Sequence, residues 1–206
     1  MKILKNITVF TLVMLLSVST VLEARDKNVS NFSSSTSNYV DSVGTFDGNK
    51  IYADVANNGL FLDYHVSGDS ALEWPKGTGV HSIFQSALWM GATVNGSIRT
   101  IVGDYTQDMG PGPWGGDPLA AVHRIYKVEK SMLASPLDFA DFQEWPVDFG
   151  APWVDVDGDG VYSPLPAGPD HPEFLGDQVL WFVSNDGDPA YKLNFGTSPL
   201  NVEIQT

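Results

Sequence analysis

Residues 87–105 read ALWMGATVNGSIRTIVGDY and carry the clearest secondary-structure signal in the chain. Two runs rich in apolar, aromatic and β-branched residues flank the dipeptide Asn95-Gly96. Asn-Gly between two such runs is typical of a two-residue type I′ turn, because both turn positions need a positive φ. We therefore predict a β-hairpin with strands over 87–94 and 97–105.

Short apolar runs bounded by turn residues recur along the chain and predict further strands. These runs cover 51–55, 60–66, 178–183 and 200–204. One segment favours a helix, because Ser135 suits an N-cap and Pro136 the first helical position of a short helix ending near Trp145. Residues 123–128 fit either a strand or a helix. The pattern predicts an all-β fold, mostly antiparallel and sandwich-like, with one short helix.

The two ends of the chain differ from its middle. Residues 1–24 combine Lys2 and Lys5 with an apolar run and the small residue Ala24, which is the layout of a secretory signal peptide. Residues 25–45 are rich in Ser, Asn and Thr and predict a flexible leader. Residues 46–206 then form the β-rich domain. Because its last predicted strand runs almost to the C-terminus, we expect the domain to continue beyond this sequence.

The composition excludes several classes of protein. The chain has 206 residues, of which 25 are Asp or Glu and 11 are Lys or Arg, with a formal net charge of −14. Such a charge argues against nucleic acid and anionic membrane surfaces as partners. The absence of Cys excludes disulfides, Cys-ligated zinc and thiol catalysis. After signal cleavage no apolar run is long enough to span a bilayer.

The stretch with the most distinctive chemistry is 153–164, which reads WVDVDGDGVYSP. Three acids alternate before Gly160: Asp155, Asp157 and Asp159. Calcium takes six to eight oxygen ligands, and the D-x-D-x-D-G pattern supplies three carboxylates and the carbonyl of Val161. The sequence therefore predicts a Ca²⁺ site in this loop, which we call the acidic loop.

The acidic loop is not an EF-hand, because Pro166 stands at the twelfth position, where an EF-hand has a bidentate Glu. The remaining ligands must come from elsewhere, and the candidates are Asp170, Glu173 and Asp177. We rank Asp177 first, because it leads directly into a predicted strand. The competing interpretation is a solvated turn, since Asp-Gly pairs are common turn formers. A second acidic turn at 184–189 is better explained as a turn than as a metal site.

The sequence contains no recognisable catalytic motif. The nucleophile elbow, the zinc-binding H-E-x-x-H pattern and the phosphate-binding loops are all missing, and the four His are scattered without ligand spacing. We therefore expect a protein that is not an enzyme. Trp114, in the Gly/Pro-rich stretch 110–116, is the one tryptophan that we expect in a surface loop, where it could contact a sugar.

Three segments together resemble a known group of proteins. They are 73–91, the acidic loop, and 176–186 with the run GDQVLWFVSND. In this order they resemble the N-terminal region of large secreted proteins of Bacteroidetes-type bacteria, which commonly are cargo of type IX secretion. The resemblance implies a β-rich extracellular or cell-surface protein with a calcium-type loop, and it implies no known reaction.

These observations lead to one expectation and one alternative. The expectation is a non-enzymatic, calcium-stabilised β module with a structural or adhesive role in a secreted or cell-surface protein. The alternative is a carbohydrate-binding module or a fragment of a secreted glycoside hydrolase. The expected partners are Ca²⁺ and polysaccharide or other cell-surface components.

Overall fold

A computed structural model describes residues 43–62, 71–103, 109–187 and 199–206, which all lie in one unit spanning Asn38–Thr206. The predicted signal peptide and residues 25–42 of the predicted leader lie outside the described residues. Within those ranges the chain forms fifteen strands and one α-helix. They are β1 (Val43–Phe46), β2 (Tyr52–Ala56), β3 (Leu60–Leu62), β4 (Leu72–Glu73), β5 (His81–Ile83), β6 (Ser86–Ala87), β7 (Trp89–Val94), β8 (Ser97–Val102), β9 (Gly110–Pro111), β10 (Tyr126–Glu129), α1 (Ala140–Gln143), β11 (Trp153–Val154), β12 (His171–Pro172), β13 (Gln178–Trp181), β14 (Val183–Asn185) and β15 (Glu203–Gln205).

The strands pair into small sheets, and every pair is antiparallel. The largest sheet has the order β1-β2-β4-β5, and a three-stranded sheet has the order β15-β14-β9. The remaining pairs in the described part of the chain are β10-β13, β11-β12, β3-β6 and β7-β8. The all-β, antiparallel prediction is confirmed.

The predicted hairpin is also confirmed over Trp89–Val94 and Ser97–Val102, while Asp104 and Tyr105 of the predicted second strand lie outside the described residues. Strands β7 and β8 pair from Val94 opposite Ser97 to Trp89 opposite Val102. The turn residues Asn95 and Gly96 have φ values of 51° and 78°, as a type I′ turn requires. One face of the hairpin places Ile101 in a small core with Met109 and Leu200.

The sandwich-like layering comes from the contact between the four-stranded sheet and β13. Val55 of β2 packs with Leu180 of β13 and with Ile125 and Phe182. At Gly44 of β1, an added Cβ would lie 2.7 Å from side-chain atoms of Ile125 and Leu180. A glycine is needed there, because the two layers approach too closely for any side chain.

The largest core lies on the opposite face of the β10-β13 pair. Tyr126 stands opposite Trp181 in the ladder, and both are buried. They pack with Val128, with Phe142 of α1 and with Trp145, whose ring centroid lies 6.3 Å from those of Tyr126 and Trp181. The β10-β13 pair therefore contributes to a hydrophobic core on each of its faces.

The helical region is more broken than the sequence predicts. A single 3₁₀ turn, Pro136–Asp138, precedes the four-residue helix α1, and further 3₁₀ turns occupy Lys130–Ala134 and Val147–Phe149. Ser135 makes no capping hydrogen bond through its side chain. Phe139 is extended, with φ −124° and ψ 111°, and separates the turn from α1. Phe142 is thereby placed in the core by α1 alone.

Two other boundaries differ from the prediction. Strand β1 begins at Val43, inside the segment 25–45 that the composition assigns to a flexible leader. Gly110 and Pro111, predicted as surface loop, form the buried strand β9 beside β14. Proline is tolerated there because β9 lies at the edge of its sheet, where one N–H can be missing. No helix in the described ranges is both long enough and apolar enough to span a bilayer.

Substituting Phe142→Ala tests the larger core. Its side chain is 1% exposed, so the change should lower the free energy of unfolding by about 3–5 kcal/mol through lost burial and a cavity. Leu175→Ala is the matched control, because Leu175 is 94% exposed and should change stability by less than about 0.5 kcal/mol. Denaturant unfolding measures both, and equal effects would contradict this description of the core.

Candidate metal centre

The acidic loop is the connection between β11 and β12. These two short strands pair antiparallel, with Trp153 opposite Pro172 and Val154 opposite His171. The residues that follow β11 and precede β12, Asp155 and Asp170, are therefore brought side by side at the open end of the ladder. The pairing positions two acids that lie far apart in the sequence.

Four carboxylates converge in this loop. Asp155, Asp157, Asp159 and Asp170 each have a carboxylate oxygen, and these oxygens lie within 4.8 Å of one another. The first three side chains are exposed, whereas Asp170 is 2% exposed. The three alternating acids that the sequence predicts as ligands are thus brought together with Asp170, one of the three candidates for the remaining ligands. The group of four could hold a metal ion.

Local hydrogen bonds turn the carboxylates toward the loop interior. Asp155 accepts from the backbone N–H groups of Gly158 at 2.6 Å and Gly160 at 2.9 Å. Asp159 accepts from the N–H of Val161 at 2.8 Å. Gly158 and Gly160 have φ values of 79° and 78°, which explains why glycine alternates with the acids here. Each carboxylate keeps further lone pairs available for a cation.

Asp170 closes the base of the loop. Its carboxylate accepts from the backbone N–H of Val156 at 2.9 Å and from the N–H of Ser163 at 2.9 Å, and the Ser163 hydroxyl lies at 3.3 Å. Burial pushes the pKa of Asp170 upward, but the hydrogen bonds from Ser163 and Val156 outweigh burial, and the pKa lies below its ordinary value. Asp170 is therefore ionised inside the structure.

Asp157 is in the opposite electrostatic situation. Its pKa is raised, first by partial desolvation and then by the neighbouring charges of Asp159, Asp170 and Asp155. The backbone N–H of Asp159 donates a hydrogen bond to Asp157, which lowers the pKa but does not offset the other effects. The loop therefore resists carrying all its negative charges at once. A bound cation would remove this repulsion and favour the ionised form.

The other predicted ligands are placed differently. Asp177, which the sequence favours as the residue that completes the metal ligands, is not in the cluster of four. It lies directly before β13, where its backbone carbonyl accepts a hydrogen bond from the N–H of Lys130. The pairing of β13 with β10 holds Asp177 there. Glu173 is exposed and is likewise outside the cluster, and its N–H donates to Pro152. The carbonyl of Val161 lies 3.2 Å from the Ser163 hydroxyl within the loop.

The acidic loop is connected to the larger core through Tyr162. The Tyr162 hydroxyl donates to the backbone carbonyl of Phe142 at 2.7 Å, and its ring packs edge-on against Trp153 at 5.5 Å. Burial, and secondarily the charge of Asp170, raise the pKa of the Tyr162 phenol. Order in the loop is therefore coupled to the position of α1.

The second acidic turn has a structural role. Asp186 is fully buried, and its carboxylate accepts from the N–H groups of Leu200 at 2.5 Å and Val202 at 2.8 Å. These bonds hold the segment that leads into β15. The turn interpretation accounts for Asp186, and Asp188 lies outside the described residues.

Trp114 stands in the loop that follows β9, with its side chain 49% exposed. Its backbone N–H donates to Glu203 in β15 at 3.0 Å. The tryptophan is thus presented at the surface by the three-stranded sheet, as a feature separate from the acidic loop.

No protein-family model, no curated protein and no solved structure matches this chain.

Two charge-neutralising variants should have opposite effects on the metal-free protein. Asp157→Asn should raise the melting temperature in EDTA, because it relieves repulsion in the loop. Asp170→Asn should lower the melting temperature. Both oxygens of this buried carboxylate accept hydrogen bonds from backbone N–H groups, and the amide NH₂ of asparagine would replace one acceptor by a donor that faces another donor. Thermal unfolding in EDTA measures both, and shifts of the same sign would contradict the electrostatic description.

Tyr162→Phe tests the connection between the loop and the core. The lost hydrogen bond to Phe142 should cost about 1 kcal/mol at neutral pH. Because the pKa of Tyr162 is raised in the folded state, its contribution is complete below about pH 10 and is lost as the pH rises further. The variant should therefore lose less stability than the parent above pH 10, in denaturant titrations across this range. Parallel curves would refute the coupling.

Proposed function

We propose that this chain is a non-enzymatic, calcium-stabilised β module of a secreted or cell-surface protein. The single observation that carries the proposal is the convergence of Asp155, Asp157, Asp159 and Asp170. In this account the cation connects the exposed acidic loop to the buried end of the β11-β12 ladder.

The chemistry of the donor atoms selects the class of metal. All four side chains offer carboxylate oxygen, and neither His nor Cys belongs to the cluster. Oxygen-only sites suit hard cations such as Ca²⁺ and Mg²⁺, whereas zinc and copper sites use nitrogen or sulfur. The residues present therefore fit an alkaline-earth ion.

The number of charged ligands favours Ca²⁺ over Mg²⁺. Mg²⁺ keeps several of its waters and is usually held by one or two carboxylates in a strict octahedron. Ca²⁺ accepts more oxygens in a flexible geometry, which suits a loop of three exposed acids and one buried acid. The carbonyl of Val161 is a further candidate oxygen.

The role that fits this position is structural. The loop contacts the larger core through Tyr162, so a cation that orders the loop also stabilises the packing of α1. A ligand at tenfold excess over its dissociation constant stabilises the native state by about 1.4 kcal/mol, and at hundredfold excess by about 2.7 kcal/mol. Extracellular calcium modules bind at roughly 10⁻⁴–10⁻³ M, so calcium outside the cell would suffice.

The secreted or surface location is supported by the sequence. Residues 1–24 have the layout of a signal peptide, and the chain resembles the N-terminal region of secreted Bacteroidetes-type proteins. A structural or adhesive role outside the cell also suits an acidic protein without cysteine. Type IX secretion enters the proposal only through that resemblance.

Thermal unfolding with and without calcium tests the proposal. About 10 mM CaCl₂ should raise the melting temperature by roughly 3–11 °C relative to EDTA, as expected for about 1.4–2.7 kcal/mol in a chain of this size. Asp157→Ala should abolish the increment.

Asp148→Ala is the matched control, since Asp148 is exposed and outside the cluster, and it should keep the full increment. The same increment in the parent and in Asp157→Ala, or no increment in the parent, would refute the proposed calcium site. A larger increment with MgCl₂ than with CaCl₂ would reassign the metal.

A further inference from the structure

The loop that carries Trp114 is held firmly at its base. Gly112 donates its N–H to the carbonyl of Val183 at 2.8 Å, which extends the β9-β14 pairing by one residue. The buried amide of Asn185 donates to the carbonyls of Gly112 at 2.9 Å and Pro113 at 3.2 Å. The residue just before Trp114 is therefore fixed by hydrogen bonds from the neighbouring strand.

Trp114 is held at its backbone, and its indole lies against a neighbouring glycine. The backbone N–H of Trp114 donates to the Glu203 carboxylate at 3.0 Å. At Gly187 an added Cβ would lie 2.4 Å from Cζ3 of the indole, so the ring rests directly against glycine backbone. About half of the side chain nonetheless stays exposed. An exposed tryptophan has only two side-chain torsions to order on binding, so it offers a large contact surface at a small entropic cost.

A small cavity adjoins this ring. Its volume is about 200 Å³, and Trp114 lines it together with Gly115, Gly116, Pro118 and Gly187. Three of these neighbours are glycines, so backbone forms much of the cavity wall beside one aromatic surface. It is smaller than the roughly 300–1,000 Å³ pockets of drug-sized ligands and suits a single ring.

We propose that this cavity is a subsite for one neutral pyranose ring of a glycan, with Trp114 as its platform. A pyranose combines an apolar C–H surface with hydroxyl groups, which suits an indole beside a wall formed largely by backbone. The Glu203 carboxylate lies against the Trp114 backbone, and the chain carries a net charge of −14. Both features disfavour uronic or sulfated sugars. The subsite does not depend on the metal proposal.

Titration calorimetry of the full chain in saturating CaCl₂ tests the subsite. The probes are cellohexaose, mannohexaose, xylohexaose and laminarihexaose as neutral glycans, hexagalacturonic acid as the acidic glycan, and tetramethylammonium as a cation that also binds tryptophan. At least one neutral glycan should bind, and Trp114→Ala should weaken that binding at least about tenfold. Trp114→Phe should restore part of it.

Two further variants separate loss of binding from loss of folding. Gly187→Ala keeps the tryptophan but displaces its ring, so it should also weaken binding while the melting temperature stays near that of the parent. Trp89→Ala removes an exposed tryptophan of strand β7 and should leave binding unchanged. The proposal is overturned if no neutral glycan binds, if Trp114→Ala and Gly187→Ala bind as the parent does, or if only hexagalacturonic acid or tetramethylammonium binds.

Discussion

The structure depends on the pairing of β10 with β13, because this ladder contributes to a hydrophobic core on each face. Tyr126 and Trp181 project into the larger core, while Leu180 projects toward the four-stranded sheet. A strand pair between two apolar layers must leave its polar residues at the margins. The ammonium group of Lys127 in β10, for example, forms an ion pair with the Asp47 carboxylate at 2.6 Å. The layers on both sides are therefore positioned by one short ladder.

The acidic loop extends from the edge of this core and carries an electrostatic cost. Four carboxylates with oxygens within 4.8 Å of one another repel, and this repulsion adds to desolvation in raising the pKa of Asp157. Asp170 cannot relieve it by taking a proton at neutral pH, because hydrogen bonds from Val156 and Ser163 lower its pKa. A bound cation removes the repulsion while keeping the hydrogen bonds, and the tyrosine contact transmits the resulting order to the core.

The sequence was informative where local chemistry determines the structure. The Asn95-Gly96 turn, the strand after Asp177 and the three alternating acids were all predictable, because turn geometry and apolar runs act over a few residues. The choice among the candidates for the fourth acid was not, because the sequence names Asp170 but favours Asp177. Asp170 is brought to the loop by the pairing of β11 with β12, which are two residues long and leave almost no periodic signal. Buried Pro111 was missed for a similar reason, since its pairing partner Ser184 lies far along the chain.

Terbium luminescence is a direct test of the proposed calcium site, since Tb³⁺ replaces Ca²⁺ at oxygen sites and is sensitised by nearby aromatic rings. Trp153 and Tyr162 lie in the acidic loop on either side of its alternating acids and would serve as donors. Adding Tb³⁺ to the metal-free protein should give sensitised emission that Ca²⁺ abolishes at roughly 10⁻⁴–10⁻³ M, and Asp157→Asn should give none. Absent emission in the parent protein, or emission of equal strength in Asp157→Asn, would contradict the proposed calcium site.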